Sequence, residues 1–165
     1  MLLQIKPLDY FNIIFLFVLL LPLSIIDIRY KIIPDSLIIS GIIVNLVYIL
    51  LFKNIILLLT SLLHGSLAFI ILAGFWYISQ QKIGLGDAKL SFLIAQALGF
   101  IEWWTILFFC CLVALLTFIV LYLLKKISLN NKIPLAPFFT IGTFIFFLLK
   151  LTGIFDKIYY IFNLI

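Results

Sequence analysis

The sequence predicts an all-α fold, a polytopic bundle of about six transmembrane helices that forms one integral-membrane domain over residues 1–165. The chain is 67% hydrophobic and 10% charged, whereas soluble domains are about 45–50% apolar and about 25% charged. Its apolar residues form runs that are separated by short polar clusters. A spanning helix needs roughly 20 mostly apolar residues, so this length holds about six spans with short connections.

Each predicted helix is an apolar run that ends at a polar cluster. The first run is long and lacks a small-residue cleavage pattern before Asp27, so we expect it to be retained as a span. The fourth run is short, and Trp103 and Trp104 beside it are typical of interfacial anchors. The tail from Gly153 to Ile165 either lies along the interface or extends the last helix. The predicted helices run from Leu8 to Ile26, Ser36 to Phe52, Ile55 to Ser79, Leu90 to Ile101, Trp103 to Leu124, and Pro134 to Leu151.

The net charge of +5 comes from Lys and Arg residues at the ends of apolar runs. Such positions are typical of topology signals and helix anchors, and they disfavour a nucleic-acid partner. One side of the six-span arrangement carries Arg29, Lys31, Lys82, Lys89, Lys125, Lys126 and Lys132, and the other carries Lys6, Lys53, Lys150 and Lys157. This bias predicts that the first, third and fifth loops are cytoplasmic and that both termini lie outside.

Two of the six acidic residues stand out by their positions. Asp27 directly ends the first apolar run, and Asp87 precedes the fourth. A charge at bilayer depth costs at least about 2.5–3.5 kcal/mol, so each aspartate requires a structural or chemical reason. In the six-span arrangement both lie on the cytoplasmic side, where they would form one site.

Two carboxyl groups held close together supply a general base and a general acid in one unit. Mutual repulsion and burial raise the pKa of one member while the other stays ionised. The ionised member removes a proton from water, and the protonated member polarises a peptide carbonyl and protonates the leaving amine. This chemistry requires no metal and no cofactor. The adjacent Cys110 and Cys111 lie within an apolar run, so they predict neither a disulfide framework nor a zinc site.

The residues around the two aspartates allow more than one interpretation. Considered alone, each aspartate is also compatible with a helix N-cap or with an interfacial ion pair to Arg29 or Lys89. Lys89 would either tune the aspartate pair electrostatically or anchor the helix end at the headgroups. Gly84 and Gly86 are expected to allow backbone conformations that a side chain would forbid, and close approach of an extended substrate. A phosphate-binding loop is disfavoured because the segment is short and follows no predicted strand.

Three segments resemble the type IV prepilin peptidases. The stretch DIRYKIIPD at 27–35 resembles the family's first catalytic segment, in which an Asp ends a span and a Pro-Asp or Pro-Asn follows. The stretch GLGDAKL at 84–90 resembles its second segment, Gly-x-Gly-Asp-x-Lys-Leu, whose core is shared by a wider class of intramembrane aspartyl proteases. The stretch IPLAPF at 133–138 is similar to the family's proline-containing stretch before a late helix.

The resemblance covers nearly the whole chain, and it implies that the protein is an aspartic endopeptidase. Asp27 and Asp87 would be its catalytic pair, Pro34 would fix the first loop, and Asp35 would cap the second helix. The expected substrates are prepilins or pseudopilins of type IV pilus or secretion systems. They would be cut at the cytoplasmic face of the bacterial inner membrane, after a short basic leader that ends in Gly. The paired Cys-x-x-Cys region linked to N-methylation in many members has no counterpart here, so we expect a peptidase-only short form in contact with membrane lipid.

Two other functions remain compatible with the residues. A small transporter or channel would use Asp27, Asp87 and His64 to carry protons or cations, because acidic residues inside membranes often mark ion paths. Against it, both aspartates fall at one membrane face, and no pair of interrupted helices suggests an inverted repeat. A non-catalytic assembly subunit of a pilus or secretion machine would tolerate the loss of either aspartate, whereas a peptidase would not.

Overall fold

The computed structural model describes residues 7–79, 84–125 and 134–153. These residues form six helices, and no strand occurs among them. The helices are α1 (Pro7–Tyr30), α2 (Asp35–Phe52), α3 (Ile55–Ile78), α4 (Leu85–Leu98), α5 (Phe100–Leu123) and α6 (Ala136–Leu151). Five residues of the basic-residue count, Lys6, Lys82, Lys126, Lys132 and Lys157, lie outside the described residues, as does most of the tail.

Four helices are long and apolar enough to cross a membrane, namely α2, α3, α5 and the Phe11–Tyr30 part of α1. The predicted all-α membrane bundle is therefore confirmed. The other two helices are shorter: α4 has 14 residues and α6 has 16. At 1.5 Å per residue α4 is about 21 Å long, well below the thickness of a bilayer core.

The sequence predicted that the first helix ends at Ile26, and this prediction is wrong. The helix continues through Asp27 to Tyr30 and is closed by Lys31, which has a φ of 54° and donates its N–H to the Asp27 carbonyl at 2.8 Å. A residue in the left-handed region just after a helix is a common way to end it. Asp27 therefore lies in the last helical turn, with its side chain directed into the bundle.

The fourth helix begins five residues before the predicted Leu90 and ends before the predicted Ile101. The break between α4 and α5 falls at Gly99, whose φ of 120° and ψ of 166° are accessible essentially only to glycine. The sequence pattern had suggested a break at Glu102, which lies inside the first turn of α5. Because α4 starts at Leu85, Asp87 belongs to its first turn.

Helix α4 forms the centre of the bundle and packs against α1, α2, α3 and α5. Glycines on two neighbours allow this close packing. A methyl group at Gly41 of α2 would lie 3.1 Å from Leu93, and one at Gly65 of α3 would lie 3.1 Å from Phe92. Nearly every residue of α4 from Asp87 to Ala97 is buried, which explains why its sequence shows no clear apolar stripe.

Helix α6 packs between α1 and α5. A methyl group at Gly142 would lie 2.7 Å from the Ile106 carbonyl oxygen of α5, so the two helices are in backbone contact there. On its other side, the Thr140 hydroxyl donates to the Leu20 carbonyl of α1 at 3.4 Å. These contacts fix the N-terminus of α6 beside Asp27.

Candidate active site

Asp27 is a buried carboxylate at the junction of α1 and α6. Its side chain is 5% exposed, although the residues that follow it, from Ile28 to Ile32, are exposed. The Ala136 backbone N–H, at the first position of α6, donates to Asp27 Oδ2 at 3.0 Å. The Leu135 N–H also interacts with this carboxylate. The polar group is thus satisfied by a helix N-terminus that is 109 residues away in the chain.

Asp87 occupies the third position of α4 and is 6% exposed. Gly84 precedes the helix, and its backbone N–H interacts with the Asp87 carboxylate. A side chain that reaches back from the third position to the residue before the helix satisfies one of the free donors of the first turn. Asp87 therefore contributes to capping α4, as expected for an aspartate at a helix start, but it does so as the third residue of the helix and not as the residue before it.

The structure brings Asp27 and Asp87 together. They lie close enough for the charge of Asp27 to act on the Asp87 carboxyl group. Both groups are buried and both are carboxyl groups, so the ionisation of one disfavours the ionisation of the other. Ion pairs of these carboxylates with Arg29 or Lys89, which the sequence left open, are not present among the described residues.

Lys89 and Asp35 bind each other at the rim of this site. Lys89 Nζ lies 2.7 Å from Asp35 Oδ1 and 2.6 Å from Oδ2. The expected cap of α2 by Asp35 is wrong, because Asp35 is the first residue of the helix, Pro34 precedes it, and no side-chain hydrogen bond caps this end. The carboxylate instead ties the start of α2 to Lys89, the fifth residue of α4.

The two glycines beside Asp87 leave room for neighbouring side chains, and the expectation of unusual backbone conformations is wrong. Gly84 has a φ of −74°, within the range of any residue, and Gly86 lies inside α4. A methyl group at Gly86 would lie 3.1 Å from Ile33 Cβ, and one at Gly84 would lie 3.1 Å from Asp87 Oδ2. Gly86 therefore lets the loop that follows Asp27 pack against α4.

His64 lies apart from the aspartate pair. It precedes Gly65, which packs on Phe92, more than one helical turn beyond Asp87 along α4. No hydrogen bond or ion pair joins His64 to Asp27 or Asp87 in the part of the chain that the structure describes. The contribution of His64 to an ion path, as the transporter hypothesis requires, has no support in these contacts.

Sequence reasoning did not find the role of Ala136. The 133–138 stretch was singled out only by resemblance, and its interaction with Asp27 is made by a backbone N–H that no side-chain pattern can reveal. The available signal was the pair Pro134 and Pro137, because proline is favoured at the start of a helix. Helix α6 indeed begins between these two prolines.

The fold and the site define a class: an α-helical membrane protein with two buried, interacting aspartates at helix ends, as in proteases that use a carboxyl pair. The type IV leader peptidase family matches residues 14–123, about two thirds of the chain, and the chain belongs to this family. The matched region contains both aspartates and ends before α6. No curated protein and no solved structure gives a significant match. The family is one of aspartic peptidases, which confirms the predicted resemblance at this level.

Proposed function

We propose that this protein is an intramembrane aspartic endopeptidase whose catalytic pair is Asp27 and Asp87. It removes the short basic leader from type IV prepilins or pseudopilins after a Gly, at the cytoplasmic face of the bacterial inner membrane. The proposal is supported above all by the electrostatic interaction between two buried aspartates from segments 60 residues apart, in a chain that belongs to the leader peptidase family.

The chemistry follows from a pair that holds one proton. The ionised carboxylate removes a proton from a water molecule, whose oxygen attacks the carbonyl carbon of the leader Gly. The protonated carboxyl group donates a hydrogen bond to the carbonyl oxygen and then transfers its proton to the leaving amine. The products are a free leader carboxylate and a mature chain with a new amino terminus. The leader carboxylic acid gives its remaining proton to the new amino group. The proton taken from water now lies on the former base, and its transfer to the other carboxylate restores the starting state of the pair.

The cytoplasmic orientation is supported by the excess of basic residues on the side of the predicted six-span arrangement that includes Arg29, Lys31 and Lys89. Asp27 lies in the last turn of α1 and Asp87 in the first turn of α4, so both lie at the ends of apolar helices. A substrate whose scissile bond lies just before an apolar helix would present that bond at a comparable position. Lipid headgroups and acidic groups of the substrate are both suitable partners for the exposed lysines.

The test is cleavage of a prepilin from the same genome, co-expressed with wild type, Asp27→Asn or Asp87→Asn at matched membrane levels. Glu102→Gln serves as a control that removes one negative charge but leaves the aspartate pair unchanged. Glu102 lies in the first turn of α5, which follows the end of α4 that is remote from Asp87. We expect wild type and Glu102→Gln to shorten the substrate after its leader Gly, and both aspartate variants to be inactive. Cleavage by either aspartate variant would refute the catalytic pair. Absence of cleavage by wild type would favour the transport or assembly alternatives.

A further inference from the structure

The start of α6 offers a specific hydrogen-bond donor to Asp27. The first residues of a helix have N–H groups without a partner inside the helix. In α6 the N–H groups of Phe138 and Phe139 both bond to the Leu135 carbonyl at 3.0 Å. Pro137 has no N–H. The Ala136 N–H donates to Asp27 Oδ2 at 3.0 Å, and the Leu135 N–H just before the helix also interacts with this carboxylate.

This donor changes the electrostatic environment of Asp27. The residue lies in the last turn of α1, where the helix dipole disfavours a negative charge. The N-terminus of α6 opposes that effect, because its dipole and its N–H groups favour an anion. Hydrogen bonds from N–H groups to a carboxylate stabilise the ionised form.

Asp87 has a different environment. It also lies at a helix N-terminus, but the backbone donor that interacts with it is the N–H of Gly84 in its own loop. The residues after it, Ala88, Leu90 and Ser91, are 1% exposed or less. The residues after Asp27 are exposed. The surroundings of the pair therefore favour negative charge on Asp27 and the proton on Asp87.

We propose, on the basis of the function proposed above, that the Ala136 N–H is a positioning group that holds Asp27 as the ionised member of the pair. Asp27 is then the general base that activates water, and Asp87 is the general acid. This hydrogen bond gives a role to the 133–138 stretch. Helix α6 begins within it at Ala136, the residue whose N–H donates to Asp27.

Few other charges face Asp27 from the helices that pack against α1. Helix α4 contributes Asp87 and Lys89, and Lys89 is bound to Asp35 of α2. Arg29, on α1 itself, is exposed. In the described part of α6 the charged residue is Lys150, in the last turn and thus at the other end of the helix. If removal of the Ala136 N–H changes the ionisation of Asp27 and a matched control does not, the change can therefore be assigned to the loss of that hydrogen bond.

The experiment replaces the Ala136 amide by an ester, by incorporating lactic acid at this position, and measures kcat/KM for a prepilin against pH. The control carries phenyllactic acid at position 139. It removes a different backbone hydrogen bond, the one from the Phe139 N–H to the Leu135 carbonyl. We expect the acidic limb of the profile to move upward by roughly one pH unit or more in the Ala136 ester, because a hydrogen bond to a charged group is lost. The limb of the control should stay at its wild-type position.

An unmoved limb in the Ala136 ester, an equal shift in both esters, or a loss of cleavage at every pH would overturn the proposal. Absence of cleavage by wild type would overturn the proposed function as well, so the two failures are distinguishable. Pro137→Ala provides a second measurement that needs no ester. It adds an N–H to the first turn of α6, so the acidic limb should move downward, and an unchanged or raised limb would count against the role of this helix end.

Discussion

Lys89 donates hydrogen bonds to both carboxylate oxygens of Asp35, at 2.7 and 2.6 Å, and so links two segments that are 54 residues apart. The short connection between α1 and α2 is thereby tied to α4 at a position two residues beyond Asp87. The side chains are 35% and 57% exposed, so solvent screens the pair and its contribution to stability is small. Its expected importance lies in positioning the two aspartates relative to each other.

Lys89→Met should lower kcat/KM by roughly three- to tenfold, while the free energy of unfolding falls by less than about 1 kcal/mol. Lys89→Arg should retain most activity, because a guanidinium also binds a carboxylate in a bidentate manner. The double variant Lys89→Asp with Asp35→Lys should recover part of the loss. Steady-state cleavage assays in detergent measure these effects. A loss in Lys89→Met as complete as in Asp27→Asn would mean that Lys89 takes part in the chemistry itself.

Gly86→Ala should reduce activity several-fold because its new methyl group would lie 3.1 Å from Ile33 Cβ and push the first loop away from α4. Gly74→Ala is the matched control, since no atom of the described residues outside its own helix lies within 4 Å of a methyl group there. In the control the replacement should be neutral or stabilise α3 by about 0.5–1 kcal/mol. Equal activity in the two variants would show that Ile33 moves aside without disturbing the aspartates.

Gly99→Ala should lower the free energy of unfolding by about 1–3 kcal/mol, because a φ of 120° with a ψ of 166° is strained for any residue with a side chain. The new methyl group would also lie 2.5 Å from Glu102 Oε2. Thermal unfolding of the detergent-solubilised protein measures the loss. The double variant Gly99→Ala with Glu102→Ala separates the two causes: backbone strain leaves it destabilised, whereas full recovery would show that the carboxylate contact alone was responsible.

The wild-type kcat/KM should depend on pH as a bell-shaped curve. Activity falls at low pH because the general base becomes protonated, and it falls at high pH because the general acid loses its proton. Both limbs belong to the coupled pair, not to a single residue. Glu102→Gln should leave both limbs in place. A profile without an acidic limb would argue against a carboxylate base.

The interaction partners of the site residues explain where sequence reasoning was correct and where it was not. The bounds of α2 and α3 were predicted to within one residue at each end, because Pro34, Lys53 and Asn54 mark them locally. The end of α1 was placed too early, since a polar residue after an apolar run suggested a helix end. Asp27 remains inside the helix because α6 satisfies its carboxylate.

The sequence by itself determined the all-α membrane fold, the class of peptidase and the two candidate catalytic residues, because apolar run length, acidic residues at span ends and short motifs are local properties. Only the tertiary structure decided what surrounds them. Three interactions join segments 54 to 109 residues apart: the charge interaction of Asp27 with Asp87, the hydrogen bond from Ala136 to Asp27, and the ion pair of Lys89 with Asp35. Such contacts depend on how the short helices α4 and α6 pack among the longer ones, which no local pattern specifies.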